Sequence, residues 1–282
     1  VAAVRHGAPE PLRSAASIAL LCGEPAPYVR AAVDAGASLL GLRVVSYGPE
    51  EVARLGDLVV AGERLGGLHL AILACGLPAE RMAALASRCV APVVEAGGPG
   101  GDPAGALADL VVLERALSGL DGRKLVWIGD ASGLQHDLLV AGASVGLSVA
   151  VAHPVGFAPD LERVTWARER AAVTRAAITV TTDLVEALAD ASAIYVDPWP
   201  EEHADRFRGY GVQRHLLRRT RAGCVILHRA PERRGGELYS SLVEDPGWLA
   251  FEQARARADA WAALLAVLLR PDPLRHVLTR SR

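Results

Sequence analysis

Lysine is nearly absent from this chain: Lys124 stands alone among 30 Lys and Arg residues. The arginine excess reads as the coding bias of a GC-rich genome. A single lysine, expected here in a turn, argues against Schiff-base chemistry, which needs a desolvated amine beside its substrate. Cysteine is sparse as well. Cys22, Cys75, Cys89 and Cys224 are scattered with no CxxC pair, which excludes a disulfide framework and reads as reduced thiols in a cytoplasmic protein. His136, His153 and His203 lack the spacing of metal ligands, so neither a metal nor another cofactor is expected. Excess charge of one sign is missing too, with a formal net charge of −2, and a general basic field for nucleic acid is thereby excluded. The most apolar run, residues 138–152, is interrupted by Gly142, Ser144, Gly146 and Ser148. It falls short of the roughly 20 residues of a bilayer span, so no membrane partner is expected, and no secretory leader pattern is visible from Val1.

What is present is ample apolar material, 51% of 282 residues with 22% charged, enough for two α/β domains of about 100–150 residues each. Short apolar runs alternate with helical segments. Strands are expected at 17–21, 40–45, 68–74 and 91–95, with helices at 27–37, 50–65, 79–88 and 103–117. After the Asp121–Gly122 turn a second series begins, with strands at 125–128, 148–152, 177–181, 193–196 and 225–227. Its helices are expected at 134–144, 161–172 and 184–189, near 214–219, and at 252–269. Such alternation means parallel sheets covered by helices on both faces. The expected fold is α/β, two doubly wound parallel-sheet domains spanning residues 1–119 and 120–282. Ligands in such folds sit outside the carboxyl ends of the strands, here in an interdomain cleft.

Six segments carry a resemblance when read in order. They are LDGRKLVWIGD (120–130), AHPVGFAPD (152–160), TTDLVEALADASAIYVDPW (181–199), FRGYGV (207–212), HRAPERRGGEL (228–238) and FEQARARADAW (251–261). This series resembles the ornithine carbamoyltransferase branch of the aspartate/ornithine carbamoyltransferase family, over residues 15–270 and most strongly from 120 onward. The resemblance implies carbamoyl transfer from carbamoyl phosphate to an amine without a metal. It also implies a C-terminal helix packed back on the first domain and a homo-oligomer, a trimer.

The implied phosphate site is largely missing. Where the family has Ser-Thr-Arg-Thr-Arg after a proline, Pro25 is followed by Ala26, Pro27, Tyr28, Val29 and Arg30. Both hydroxyl donors are gone, Pro27 removes an amide from the helix start, and only Arg30 matches. The arginine expected at the end of the third strand falls at Ala74. The His-Pro-x-x-Gln segment becomes Asp102-Pro103-Ala104-Gly105. The loop GGPGG (97–101) lacks the Lys-Ser/Thr of a phosphate-binding P-loop.

On the amino-acid side the family's asparagines fall near Ser132–Gly133. Asp197 matches the aspartate that contacts the ornithine amine, but Glu201-Glu202-His203 follow in place of Ser-Met-Gly. In the His-Cys-Leu-Pro segment His228 and Pro231 stay, while Arg229 replaces the cysteine and Ala230 the leucine. Arg257 matches a family arginine. Arg30, Asp197, Arg229 and Arg257 are therefore the ligand-binding candidates, and His228 and Arg257 the catalytic remnants. Each has a plainer role: strand-end brace for Asp197, scaffold histidine for His228, helix anchor for Arg257, surface ion pair for Arg30. Arg229 in the cleft favours a carboxylate over an ammonium. Nine arginines between 206 and 234 against Glu232 form either a solvated basic face or a greeting for an anion.

The leading expectation is a pseudoenzyme, or a binder of another small anion or amino acid in the cleft. One rival is an active transferase whose anion site is rebuilt from Arg30, Arg229, Arg257 and His228. The other is a non-catalytic partner subunit of an active paralogue.

Overall fold

The computed structural model describes residues 16–231 and 240–269. Glu232, Arg233 and Arg234 of the arginine-rich stretch lie outside them. The chain forms two compact units, one running to Ala108 and resuming at Ala254, the other Asp109–Gln253. The division falls within the helix Pro103–Leu117, where the sequence placed the boundary just after that helix.

The first unit holds β1 (Ser17–Cys22), β2 (Arg43–Tyr47), β3 (Ile72–Cys75) and β4 (Val93–Glu95) in the order β2-β1-β3-β4, all parallel. β1 is buried throughout, so its alternating side chains serve two faces. Ile18, Leu20 and Cys22 join Leu73 and Cys75 against Val33 and Ala37 of the helix Pro27–Ser38 and Trp261 and Leu265 of the helix Ala250–Leu269. Ala19 and Leu21 join Ile72 and Ala74 against Val52, Leu65 and Leu85 on the opposite face. The C-terminal helix thus packs back on the first unit, as the fold resemblance implied. Gly36 makes that approach possible, since a Cβ there would lie 2.6 Å from the Ala258 carbonyl oxygen.

The second unit holds β5 (Lys124–Ile128), β6 (Ser148–Ala152), β7 (Ile178–Thr181), β8 (Ala193–Val196) and β9 (Val225–His228) in the order β7-β6-β5-β8-β9. These strands are also parallel. Val126, Ile128, Ala150, Ala152, Ile194, Val196 and Ile226 face Leu184, Leu188, Val212 and Leu242. On the other face Trp127 and Tyr195 stack with ring centroids 4.5 Å apart. Among the described residues no helix is long and apolar enough to cross a membrane.

Several elements differ from the sequence reading. The expected helix 50–65 is two helices, Pro49–Ala53 and Leu58–Leu68. Gly56 turns between them with φ +70°, and Asp57 caps the second by accepting the Val59 and Val60 N–H groups. That helix runs through Leu68, leaving β3 only Ile72–Cys75 of the strand expected at 68–74. The strand expected at 40–45 starts later because residues 39–41 form a turn ending at Gly41, φ +69°. Lys124 opens β5 rather than lying in a turn, and its Nζ donates to the Ala189 carbonyl at 3.0 Å. The segment Arg214–Arg219 is a 3₁₀ helix.

A contrast between two glycines tests this packing. Gly36→Ala should cost about 1–3 kcal/mol by forcing the C-terminal helix away. Gly67→Ala has nothing within 4 Å of the added Cβ and should be neutral or stabilising by up to about 1 kcal/mol. Urea unfolding of both variants checks the pair, and equal effects would contradict the close approach.

Candidate functional site

In the second unit β5 and β8 lie side by side although two strands, β6 and β7, separate them along the chain, which is the switch point where ligands bind in open α/β sheets. β5 is followed by Gly129, φ +150°, where a Cβ would come within 2.7 Å of the Asp197 Cβ. Glycine therefore lets the two strand ends meet. Ser132 follows and caps the helix Gly133–Ser144, its Oγ accepting the Gln135 N–H at 3.3 Å. Its hydroxyl also hydrogen-bonds Asp197.

Asp197 leaves β8 with its N–H donated to the Ile128 carbonyl at 2.9 Å. Val196 pairs with His228 in the β8–β9 register, so Asp197 and Arg229 emerge next to each other. The Arg229 fork closes on the carboxylate, Nε to Oδ1 at 2.6 Å and Nη2 to Oδ2 at 3.1 Å. Asp197 is fully buried, while the Arg229 side chain remains 38% exposed. Burial pushes the Asp197 carboxyl above the usual carboxylate range, and Arg229, then His228 and Ser132, pull it back.

His228 is buried beside them. Its backbone N–H donates to Gln253 Oε1 at 3.0 Å, and its ring is tilted 6.0 Å from that of Trp248. The same Gln253 donates Nε2 to Asp109 Oδ1 at 2.8 Å, and Tyr195 donates its hydroxyl to Asp109 Oδ2 at 2.9 Å. Sequence reasoning passed over this network. Its only signal was an aspartate inside the apolar run ALADLVVL.

In the first unit the switch point lies between β1 and β3. The helix Pro27–Ser38 starts there from Ala26, which makes no side-chain cap, and Pro27 brings no N–H. Arg30 is exposed on that helix, and its positive charge opposes the upward push that burial gives the Cys22 thiol. Cys22 and Cys75 are register partners. Burial pushes the Cys75 thiol to about 12, helped by Cys22, Glu24, Asp102 and Glu95. Local pattern does not group Glu24, Glu95 and Asp102, because Glu24 follows β1, Glu95 ends β4 and Asp102 precedes the helix Pro103–Leu117.

Two of those carboxylates, Glu95 and Asp102, are held by backbone N–H groups of the loop GGPGG and the helix start after it. Glu95 Oε1 accepts the Gly100 N–H at 3.1 Å, and Asp102 Oδ1 accepts the Gly105 N–H at 2.9 Å. A Cβ at residue 105 would lie 2.3 Å from Asp102 Oδ2, so glycine is what admits this carboxylate. Arg257 Nη1 lies 3.7 Å from Asp102 Oδ2.

Of the residues singled out from the sequence, Asp197, His228 and Arg229 come together in the second unit. Arg30 and Arg257 belong to the first, Arg257 beside Asp102. Among the described residues no group of three or more His, Cys, Asp or Glu side chains is placed to hold a metal ion.

Residues 121–268 match the family described as aspartate/ornithine carbamoyltransferase, Asp/Orn binding domain. An ornithine carbamoyltransferase of Acidothermus cellulolyticus is 32% identical, over 93% of this chain and 87% of its own. The solved ornithine carbamoyltransferase of Pyrococcus furiosus superposes with a TM-score of 0.87 at 26% identity, covering 92% of this chain and 87% of that one. That of Gloeobacter violaceus gives 0.87 at 26% identity, with 95% and 91% covered.

Arg229→Met isolates the buried carboxylate. A fully buried broken pair costs about 3–5 kcal/mol, and the partial exposure of Arg229 lowers the expected loss to about 1–3 kcal/mol at pH 7. Without the arginine, the native pKa of Asp197 rises further above its unfolded value. The native state then binds the proton more tightly, so the penalty is full above that pKa and shrinks as pH falls toward the unfolded value. Urea unfolding across pH 4–8 (an interval set by carboxylate titration, about 4 when unperturbed) checks the sign. A loss independent of pH would contradict it.

Proposed function

This chain belongs to the aspartate/ornithine carbamoyltransferase family, and we propose that within it the chain is a pseudoenzyme, without carbamoyl transfer from carbamoyl phosphate to ornithine. The observation that carries this reading is the Arg229 fork on Asp197. Asp197 matches the aspartate that the resemblance assigns to the ornithine amine. Here a guanidinium of the chain itself already neutralises it. An incoming ammonium would have to displace two charge-assisted hydrogen bonds, each contributing about 1.5–3 kcal/mol.

The first unit supports the same reading from the other substrate. Carbamoyl phosphate carries a dianionic phosphate, which needs oriented N–H and hydroxyl donors and arginine forks. At the corresponding strand ends are Ala26, Pro27 and Ala74, together with the carboxylates of Glu24, Glu95 and Asp102. One carboxylate about 5 Å from one phosphate charge opposes binding by roughly 3 kcal/mol at an effective dielectric constant near 20. Loss of a single oxyanion donor costs about 10²–10³ in rate. Several such losses leave little catalysis even when they do not add fully.

The retained fold supports a small-molecule ligand at the strand ends, either another small anion or an amino acid. The resemblance supports a homo-oligomer, a trimer. A second reading, an active carbamoyltransferase, is favoured by the 32% identity to the Acidothermus protein named for that activity. It requires Arg229 and Arg257 to serve substrate anions, whereas each lies against a carboxylate of its own unit.

An assay of citrulline formation from carbamoyl phosphate and ornithine, run beside an active ornithine carbamoyltransferase, separates the two. The expected rate is at least about 10⁴-fold below the reference. A rate within about 10²-fold of it would establish the active reading instead.

A further inference from the structure

The second unit has a groove of ≈ 530 Å³ at the carboxyl end of β7, away from the residues of the Asp197–Arg229 pair. Its lining includes Asp183 and Leu184 on one side and Arg208, Tyr210, His215 and Leu216 on the other. The volume is within the range of about 300–1,000 Å³ that holds small organic ligands. The wall is of mixed chemistry, with leucines and a tyrosine ring beside a guanidinium and an imidazole.

The charge balance of this groove has a direction. Asp183 is its one carboxylate, and that group is turned to the helix it caps, accepting the Val185 and Glu186 N–H groups at 2.9 and 3.0 Å. The Tyr210 hydroxyl lies 2.7 Å from the Thr182 carbonyl and 2.8 Å from the His153 carbonyl, which fixes the ring as a wall. Burial, and then Asp183, push that phenol upward, so it stays neutral. Arg208 pairs with Asp205, but both side chains are more than 80% exposed. Such a pair contributes about 0–1 kcal/mol and yields readily to a better anion.

The segment that supplies Arg208 and His215 is rich in arginine. Residues 205–221 carry Arg206, Arg208, Arg214, Arg218, Arg219 and Arg221 against the single acid Asp205. Arg206 donates to the Val155 carbonyl at 3.1 Å, and Arg214 lies 3.8 Å from Asp245. Arg218, Arg219 and Arg221 are exposed. A guanidinium in a concave wall, here that of Arg208, raises the local concentration of anions.

We infer that this groove binds a small organic anion, its phosphate or carboxylate head on Arg208 and His215 and its apolar body against Leu184, Tyr210 and Leu216. Guanidinium forks match either head. The apolar wall distinguishes such a ligand from an inorganic anion, and it gives the arginine-rich stretch a use that the proposed function leaves open.

Calorimetric titration with phenyl phosphate and with benzoate tests this, with inorganic phosphate and phenol as the head and the body alone. At least one organic anion should saturate, with inorganic phosphate and phenol each at least about tenfold weaker. Affinity should fall as salt is raised. Arg208→Gln with His215→Gln, both exposed positions, should melt like the unaltered chain and lose at least about tenfold in affinity. No saturation by either organic anion below about 10 mM, a range corresponding to roughly 3 kcal/mol of binding, would overturn the inference. So would undiminished affinity in the double variant, or equal affinity for inorganic phosphate. None of these outcomes bears on carbamoyl transfer, because the groove shares no residue with the Asp197–Arg229 pair.

Discussion

A carboxylate with no exposure to water needs a counter-charge or hydrogen bonds to compensate its burial, and for Asp197 that need fixes the chemistry of its strand end in the second unit. Asp197 is fully buried at the end of β8, and Arg229 reaches it from the end of the neighbouring β9. Gly129 gives up a side chain so that β5 can end against Asp197. Ser132 adds a hydrogen bond, and His228 adds a favourable field. The strand order thus brings together residues whose charges cancel. In the proposed pseudoenzyme, a site that would otherwise present an anion to a substrate amine presents a closed ion pair.

The first unit reaches a related end by a different route. Its strand ends gather Glu24, Glu95 and Asp102 around Cys75, and together with burial they keep that thiol protonated. Asp102 also caps the helix Pro103–Leu117 through the Gly105 N–H, which gives it a structural task. Carbamoyl transfer needs positive charge and oriented donors on a phosphate and on a developing oxyanion. On the proposed reading one unit sets carboxylates at the corresponding place, and the other answers its own carboxylate with its own guanidinium. The fold meanwhile rests mainly on the two-faced strands β1 and β5 and the helices packed on them.

Much of that fold was legible from local pattern. The strands Ser148–Ala152 and Ala193–Val196 and the helix Pro103–Leu117 match the sequence reading to the residue, because apolar runs bounded by Gly, Pro and Asp leave little choice. The errors arose where a turn interrupts an amphipathic pattern, as at Gly56–Asp57, or where a helix extends into an apolar run, as at Leu68. The candidate site was legible one residue at a time. Asp197, His228 and Arg229 could each be named, but the pairing of two residues 32 positions apart depends on β9 lying beside β8. The Asp109–Tyr195–Gln253 network was out of reach for the same reason, since its members lie on three elements far apart in the chain.

The most direct test of the account is calorimetric binding of carbamoyl phosphate, with inorganic phosphate as control, to the full chain. Ligand that binds the native state must also stabilise it by mass action, so thermal melting provides a parallel readout. The account predicts no saturable heat and no rise in melting temperature up to about 10 mM, the weak end of ligand affinity. Saturable binding that is specific to carbamoyl phosphate, with a matching thermal shift, would contradict it and mean that the strand ends of the first unit still hold the family's substrate.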